Sequence, residues 1–322
     1  MIVTVTPNPA VDRTVSVRGF TVGTTNRAVA ERIDIGGKGI NVARHLARLG
    51  CDVVATGFLD AGDFHRVLQT LAVQGIQTDF VRVAGNTRMC LKILDSATGQ
   101  ETEINESGPP LAPEAVPALL ETLRALASRC AVMVFSGSLP PGAPANLYAR
   151  AIELAAAAGA RTILDAAGDA LRYGIAAKPD LVKPNRAEAE ELLGVPLGNA
   201  AELVAGAKRL VEYGARTAVI SLGPDGAICA SAAGVWRGRA PHITARNTVG
   251  AGDAMVAALA WAVMRSLATP EALRLAMALG SATAASHEPV PAKGDLDALL
   301  ADVLVEAVAP GDTPDVVVRS GC

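Results

Sequence analysis

Apolar and polar positions change rhythm along this chain in two distinct ways. Short β-branched runs at residues 2–6, 53–58, 131–135, 162–165, 181–183 and 217–222 are almost wholly apolar. Between them stand Ala/Leu-rich segments whose apolar residues recur at helical spacing, predicting helices over 40–49, 113–127, 145–158, 200–212, 253–265 and 270–285. A strand that is apolar on both faces belongs in a sheet covered by helices on both sides, and strand–helix alternation joins such strands in parallel. The pattern therefore predicts an α/β fold with a mostly parallel sheet. Two stretches, about residues 12–35 and 86–106, instead alternate apolar with polar positions, as half-exposed antiparallel strands do. No Pro/Ser-rich linker bounds either, so both are read as insertions forming a small β lid on one domain spanning 1–309. Residues 310–322 mix Pro, Gly and Asp without periodicity and are expected to be a flexible tail.

Composition narrows the function classes. Net charge is −3, Lys and Arg are dispersed, and aromatic residues make up 3%, so neither the basic face nor the stacking platforms of a nucleic-acid binder are present. The five cysteines form no C-x-x-C pair and no cluster with histidine, which argues against a zinc site or a disulfide framework and for a reducing, cytoplasmic setting. No signal-peptide pattern precedes the strand-like start. The most apolar later stretch, 254–268, is shorter than the roughly 20 residues a bilayer requires and reads as a buried core helix. Small-molecule chemistry remains.

The strongest local motif is Gly250-Ala251-Gly252-Asp253, running directly into a helical pattern. Small residues let backbone approach a ligand, and the first helical turn offers unpaired N–H groups at the positive dipole end. An Asp in that turn can accept a hydroxyl proton while the amides stabilise a transferring phosphoryl group; a tight turn capped by an acid is an equally good account of the motif alone. Gly36-Gly37-Lys38-Gly39-Ile40-Asn41 precedes a second helix, with Lys38 suited to phosphate and Asn41 to sugar hydroxyls, although a structural turn is the simpler account. It is not a Walker A loop. Asn185 and Glu188 share a helix face and suit either a Mg²⁺ water shell or an N-terminal capping box. Ser221-Leu222-Gly223-Pro224-Asp225-Gly226 and Ser136-Gly137-Ser138 leave apolar strands where α/β sheets bind ligands, and turn chemistry explains them too. Arg88 in the lid suits a terminal phosphate and Asp12 suits paired hydroxyls, though each type is more often a solvated surface charge. No histidine forms a triad pattern.

In this order the pieces resemble the ribokinase-like carbohydrate kinases of the PfkB family, over about residues 1–300, with the two glycine-rich segments as its signatures. Thr6-Pro7-Asn8-Pro9-Ala10-Val11-Asp12, Thr87-Arg88 and Val182-Lys183-Pro184-Asn185 add a likeness to the family's phosphosugar branch. The resemblance implies a three-layer α/β/α core, ATP and Mg²⁺, and phosphorylation of fructose 1-phosphate to fructose 1,6-bisphosphate. Tagatose 6-phosphate or fructose 6-phosphate as acceptor, and a non-catalytic sugar-phosphate sensor, stay open. It further implies Asp253 as base, Gly250, Ala251 and Gly252 as anion hole, and Asp12, Gly37, Asn41 and Ser138 as sugar contacts. Lys38, Arg88 and Arg27 would hold the existing phosphate; Lys183, Asn185, Ser221, Gly223, Gly226 and Thr248 would lie at the nucleotide; Asn185 and Glu188 would organise Mg²⁺ through water. Asn247 stands where many relatives carry Asp, and Ser286-His287-Glu288-Pro289 replaces an Asn-x-Gly-like stretch, so no monovalent-cation ligands are assigned. An exposed lid sheet also suits a homodimer.

Overall fold

The computed structural model of the chain describes residues 1–246, 248–286, 290–291 and 293–309, with backbone alone at 293–295. Its first half runs β1 (Ile2–Thr6), β2 (Ala10–Val17), β3 (Ala28–Gly36), α1 (Lys38–Arg48), β4 (Val53–Asp60), α2 (Phe64–Val73), β5 (Gln77–Val83), β6 (Arg88–Asp95), β7 (Glu101–Asn105), α3 (Ala115–Ala127), β8 (Val132–Ser136) and α4 (Leu147–Ala157). The second half runs β9 (Arg161–Asp165), α5 (Gly168–Ala176), β10 (Leu181–Val182), α6 (Arg186–Leu193), α7 (Ala200–Glu212), β11 (Thr217–Ser221), β12 (Ala227–Ser231), β13 (Gly234–Arg239), α8 (Ala251–Met264), α9 (Thr269–Ala285), α10 (Lys293–Leu300) and β14 (Leu304–Ala307).

The main sheet has the order β14-β13-β12-β11-β10-β9-β8-β1-β4-β5 and is parallel from β11 through β5. Because successive strand side chains point to opposite faces, each central strand feeds two cores. Met133 and Phe135 of β8 pack into one with α3, α4 and α7, while Val132 and Val134 pack into the other with α1, α8 and α9. Helix α8 is buried from Asp253 through Ala260, consistent with a helix apolar on every side and walled in by the sheet, α1 and α9. Among the described residues no helix is long and apolar enough to cross a membrane.

The second sheet has the order β3-β2-β6-β7. The alternating pattern predicts antiparallel strands here, and two of the three pairs are; β2 and β6, however, run parallel. The reason lies in the main sheet. Strands β1 and β5 point the same way, and each continues after a short link into β2 and β6, which therefore leave the carboxyl edge in the same sense. The segments of this sheet begin and end close to the expected 12–35 and 86–106. Residues 310–322, expected as a tail, lie outside the described residues.

Candidate functional site

The carboxyl edge of the parallel strands gathers charged groups from four distant segments. Gly250 starts α8 with φ of 81°, and the space where a side chain would stand is empty, so the first turn of α8 opens onto a cleft. Its N–H groups lack acceptors within the helix, which leaves a positive end for an anion. Asp253 sits in this turn, 7% exposed, and its Oδ2 accepts a hydrogen bond of 2.9 Å from Asn41 Nδ2 on α1. Burial, reinforced by the negative charge of Asp165, pushes the Asp253 carboxyl up to about 6. Asn41, Lys38 and Lys183 pull against that rise.

Two lysines meet behind this turn. Lys38, the first residue of α1, places Nζ 3.3 Å from Asp165 Oδ2 and 3.9 Å from Glu188 Oε1. Lys183, just after β10, places Nζ 3.2 Å from Asp165 Oδ1, and a side chain added at Gly252 would lie 3.7 Å from the same Nζ. Asp165, at the end of β9, is almost wholly buried; desolvation works to raise its carboxyl, and Lys183 and Lys38 more than offset that, holding it below the usual carboxylate range. Lys38 is driven further up, chiefly by Asp165.

On the sugar side, a cleft of about 260 Å³ is bordered by Asp12, Asn41, Arg44, Lys92 and Gly250, so the small sheet and the start of α8 face one space. Burial raises the Asp12 carboxyl while Lys92, Arg88 and Arg44 oppose the rise. Its carboxylate packs against Gly36 Cα in the room a larger residue would need, and Gly37, at φ of 119°, presses against Thr6 and Pro9. Arg88 donates through Nε to the Asn8 carbonyl (3.2 Å) and through Nη1 to the Glu106 carbonyl (3.2 Å). Asn8 Nδ2 in turn donates to Ser138 Oγ at 3.1 Å, so Arg88, Asn8 and Ser138 form one connected group on an adjoining opening.

The nucleotide-side expectations fall around a third opening, lined by Asn185, Ser221, Gly223 and Asp225. Asn185 pairs with Ser221 in an isolated parallel bridge. Asn185 and Glu188 form a complete capping box on α6: Asn185 Oδ1 accepts from Glu188 N (2.9 Å) and Glu188 Oε2 accepts from Asn185 N (2.8 Å). Glu188 Oε1, facing Lys38, is left outside the cap. Gly226 has φ of 102° and its Cα lies against the Gly238 carbonyl, which accounts for a glycine there by backbone packing between β12 and β13. Thr248 is exposed, and its carbonyl accepts from Ala251 N at 3.3 Å.

The structure thus brings together Asp253, Gly250, Ala251, Gly252, Asn41, Lys38 and Lys183. Lys38, expected beside the sugar's own phosphate, stands instead with Lys183 around Asp165. Arg27 is exposed next to the Val17–Ala28 end of the β2–β3 hairpin, whereas the cleft begins at the Ala10–Gly36 end, so within one chain it does not join the site. Asn247 and residues 287–289 lie outside the described residues. Sequence reasoning missed Asp165, Asn8, Arg44, Lys92 and Glu106; the usable signal for the first was an acid closing an apolar strand at the ligand-binding edge of the sheet.

Two lysines set against Asp165, Glu188 and Asp253 leave this cluster one negative charge in excess before any triphosphate arrives. Among the described residues no group of three potential ligands forms a metal site on its own. The donor set therefore fits a Mg²⁺ carried in by phosphate oxygens, with Glu188 Oε1 available to its water shell.

Comparison with known proteins places the chain in a family. The pattern of the pfkB family carbohydrate kinases matches residues 5–293. Similar proteins include the 1-phosphofructokinase of Bacillus subtilis, 38% identical over 288 residues covering 89% of this chain and 94% of that protein. The 1-phosphofructokinase of Rhodobacter capsulatus is 38% identical over 311 residues, 96% of this chain and 98% of that one. Among solved structures, phosphofructokinase-2 from Escherichia coli in complex with fructose-6-phosphate superposes with a TM-score of 0.87 at 28% identity, covering 93% of this chain and 98% of that one. With a family match over residues 5–293 and relatives 38% identical across most of both chains, the chain belongs to the pfkB family of carbohydrate kinases.

Proposed function

We propose that the protein transfers the γ-phosphoryl group of ATP to the free primary hydroxyl of fructose 1-phosphate, giving fructose 1,6-bisphosphate and ADP. The observation that carries this reading is the Asn41–Asp253 contact, which holds a buried, unusually basic carboxylate in the first turn of α8, whose N-cap Gly250 borders the sugar cleft. The relatives named 1-phosphofructokinase support the choice of acceptor.

In this mechanism Asp12 and Asn41 orient the sugar through its hydroxyls, and Arg88 pairs with its existing phosphate. Asp253 accepts the hydroxyl proton as the new oxygen–phosphorus bond forms and the bond to the β–γ bridging oxygen breaks. The amides of Gly250, Ala251 and Gly252, with Lys38 and Lys183, receive the charge that spreads over the moving phosphoryl oxygens. Mg²⁺, when bound with ATP, supplies neutralisation of the triphosphate. Asn185, Ser221 and Gly223 border the nucleotide. The small sheet acts as a lid whose inner face, carrying Asp12 and Lys92, closes over the sugar and excludes water. Its outer face exposes Ile33 and Ile104 in one cross-strand row, which supports a homodimer formed through the lid.

Coupled ADP release measured with fructose 1-phosphate, fructose 6-phosphate, tagatose 6-phosphate and ribose tests the assignment. The highest kcat/KM is expected for fructose 1-phosphate. A preference for either 6-phosphate moves the acceptor, and sugar-phosphate binding with no ADP release rejects the kinase in favour of a sensor.

A further inference from the structure

A cavity of about 300 Å³ lies at the far end of the main sheet, where β9, β10 and β11 begin with Arg161, Leu181 and Thr217. Asp165 closes the opposite end of β9, four residues on, or roughly 13 Å away at strand rise. This cavity is therefore separate from the acceptor and nucleotide openings. Its floor is apolar, formed by Val219 and Cys229 of the sheet, Leu259 and Val263 of α8, and Leu273 of α9.

The mouth is charged, and its charges are not fully used. Asp180 gives one oxygen to Thr162 N at 2.8 Å. Its other oxygen faces both Arg161 Nη1 at 3.8 Å and Arg216 Nη1 at 3.7 Å, separations too long for hydrogen bonds. Two guanidinium groups sharing one carboxylate leave a net charge of about +1 and unused N–H donors directed by a planar fork. Helix α9 starts beside the cavity at Thr269, but Glu271 in its first turn accepts from Ala268 N at 3.3 Å and offsets the positive helix end, so the two arginines supply the charge.

We propose that this cavity binds a small organic monoanion with a short apolar tail, of the chemical class of a medium-chain carboxylate. The carboxylate seats between Arg161 and Arg216, and the tail lies against Leu259, Val263 and Leu273. A single negative charge matches the unbalanced positive charge; a doubly charged phosphate would be left facing Asp180. The volume admits on the order of ten water-sized groups, which suits a chain of six to eight carbons.

Calorimetry and thermal unfolding of the full chain test this, with hexanoate as probe and acetate and hexan-1-ol as controls. Hexanoate at about ten times its Kd is expected to raise Tm by about 2 °C. Acetate lacks the tail and hexan-1-ol the charge, so each binds at least about fivefold more weakly. The double variant Arg161→Ala/Arg216→Ala weakens hexanoate by about tenfold and leaves hexan-1-ol unchanged. Val263→Phe, which fills the floor and leaves both arginines in place, weakens hexanoate and hexan-1-ol together, and decides the matter should the double variant fail to fold. No heat of hexanoate binding up to about 10 mM, equal affinity in both variants, or displacement by fructose 1-phosphate would each overturn the proposal.

Discussion

Replacing Asp253 by Asn separates catalysis from stability in opposite directions. In the folded protein the Asp253 carboxyl titrates near 6, against 3.8 in an ordinary setting, with burial as the main cause. Between those values the native state holds a proton that the unfolded chain has released, so wild-type stability falls as pH rises from about 4 through 6. The difference amounts to about 3 kcal/mol above pH 7, and the Asp253→Asn variant escapes it because a neutral amide is never ionised. The amide also keeps an oxygen for the Asn41 Nδ2 hydrogen bond. The variant is therefore expected to match wild type near pH 4 and to exceed it by about 3 kcal/mol, or about 4 °C in Tm, at pH 8. Its kcat is expected to fall by about 10²–10⁴ with KM for the sugar phosphate little changed, since a base acts only in the transition state. Urea unfolding at pH 4, 6 and 8, with ADP release at pH 8, measures both. Unchanged turnover, or lower stability than wild type at pH 8, would refute the assignment of a buried, basic carboxylate to this position.

Asp165→Asn leaves Lys183, only 5% exposed, without its partner, so a loss of about 3–5 kcal/mol at pH 7 is expected in chemical denaturation. The same change removes a charge that raises the Asp253 carboxyl, so the acidic limb of the kcat/KM profile should move to lower pH; an unmoved limb would break that link. Gly252→Ala meets nothing nearer than Lys183 Nζ at 3.7 Å, so thermal stability should hold or rise slightly, while a methyl at the anion hole lowers turnover by about 10²-fold. Full activity in that variant would show that phosphate does not approach this backbone. Arg88→Ala should raise KM for fructose 1-phosphate by about tenfold and leave ribose kinetics unaltered; an equal effect on both would mean that its hydrogen bonds to Asn8 and Glu106 matter more than phosphate pairing.

The buried parallel strands and their helices were legible because their apolar runs are long and β-branched, and α8 and α9 start within two residues of the expected positions. The antiparallel edge β12–β13–β14 was not. Ala, Ser and Cys dominate β12, and β14 is only four residues long, so no period stands out. Short helices such as α5 escaped for a related reason, since Gly168 and Gly174 interrupt its weak apolar face. At the site, glycine-rich helix starts mark Asp253, Lys38 and Asn41 locally, whereas Asp165 owes its importance to lysines 127 residues before it and 18 after it, from the positions of Lys38 and Lys183. Asn185 and Glu188 show the converse: a spacing that suits metal chemistry also builds a helix cap, and the cap engages both side chains.

Between Thr6, in the middle of the main sheet, and Ala10, the first residue of the small one, the chain has only Pro7, Asn8 and Pro9. Both prolines have fixed φ, so this connector has little slack to absorb a change in length. Deleting one residue there would advance β2 by one place against its neighbours, bringing Arg13 into the place of Asp12 and turning Asp12 outward along a strand whose faces alternate. Loop-length variation is thermodynamically mild over much of a protein surface; at this junction the same change would exchange an acid for a base in front of the sugar and leave every other catalytic group in place.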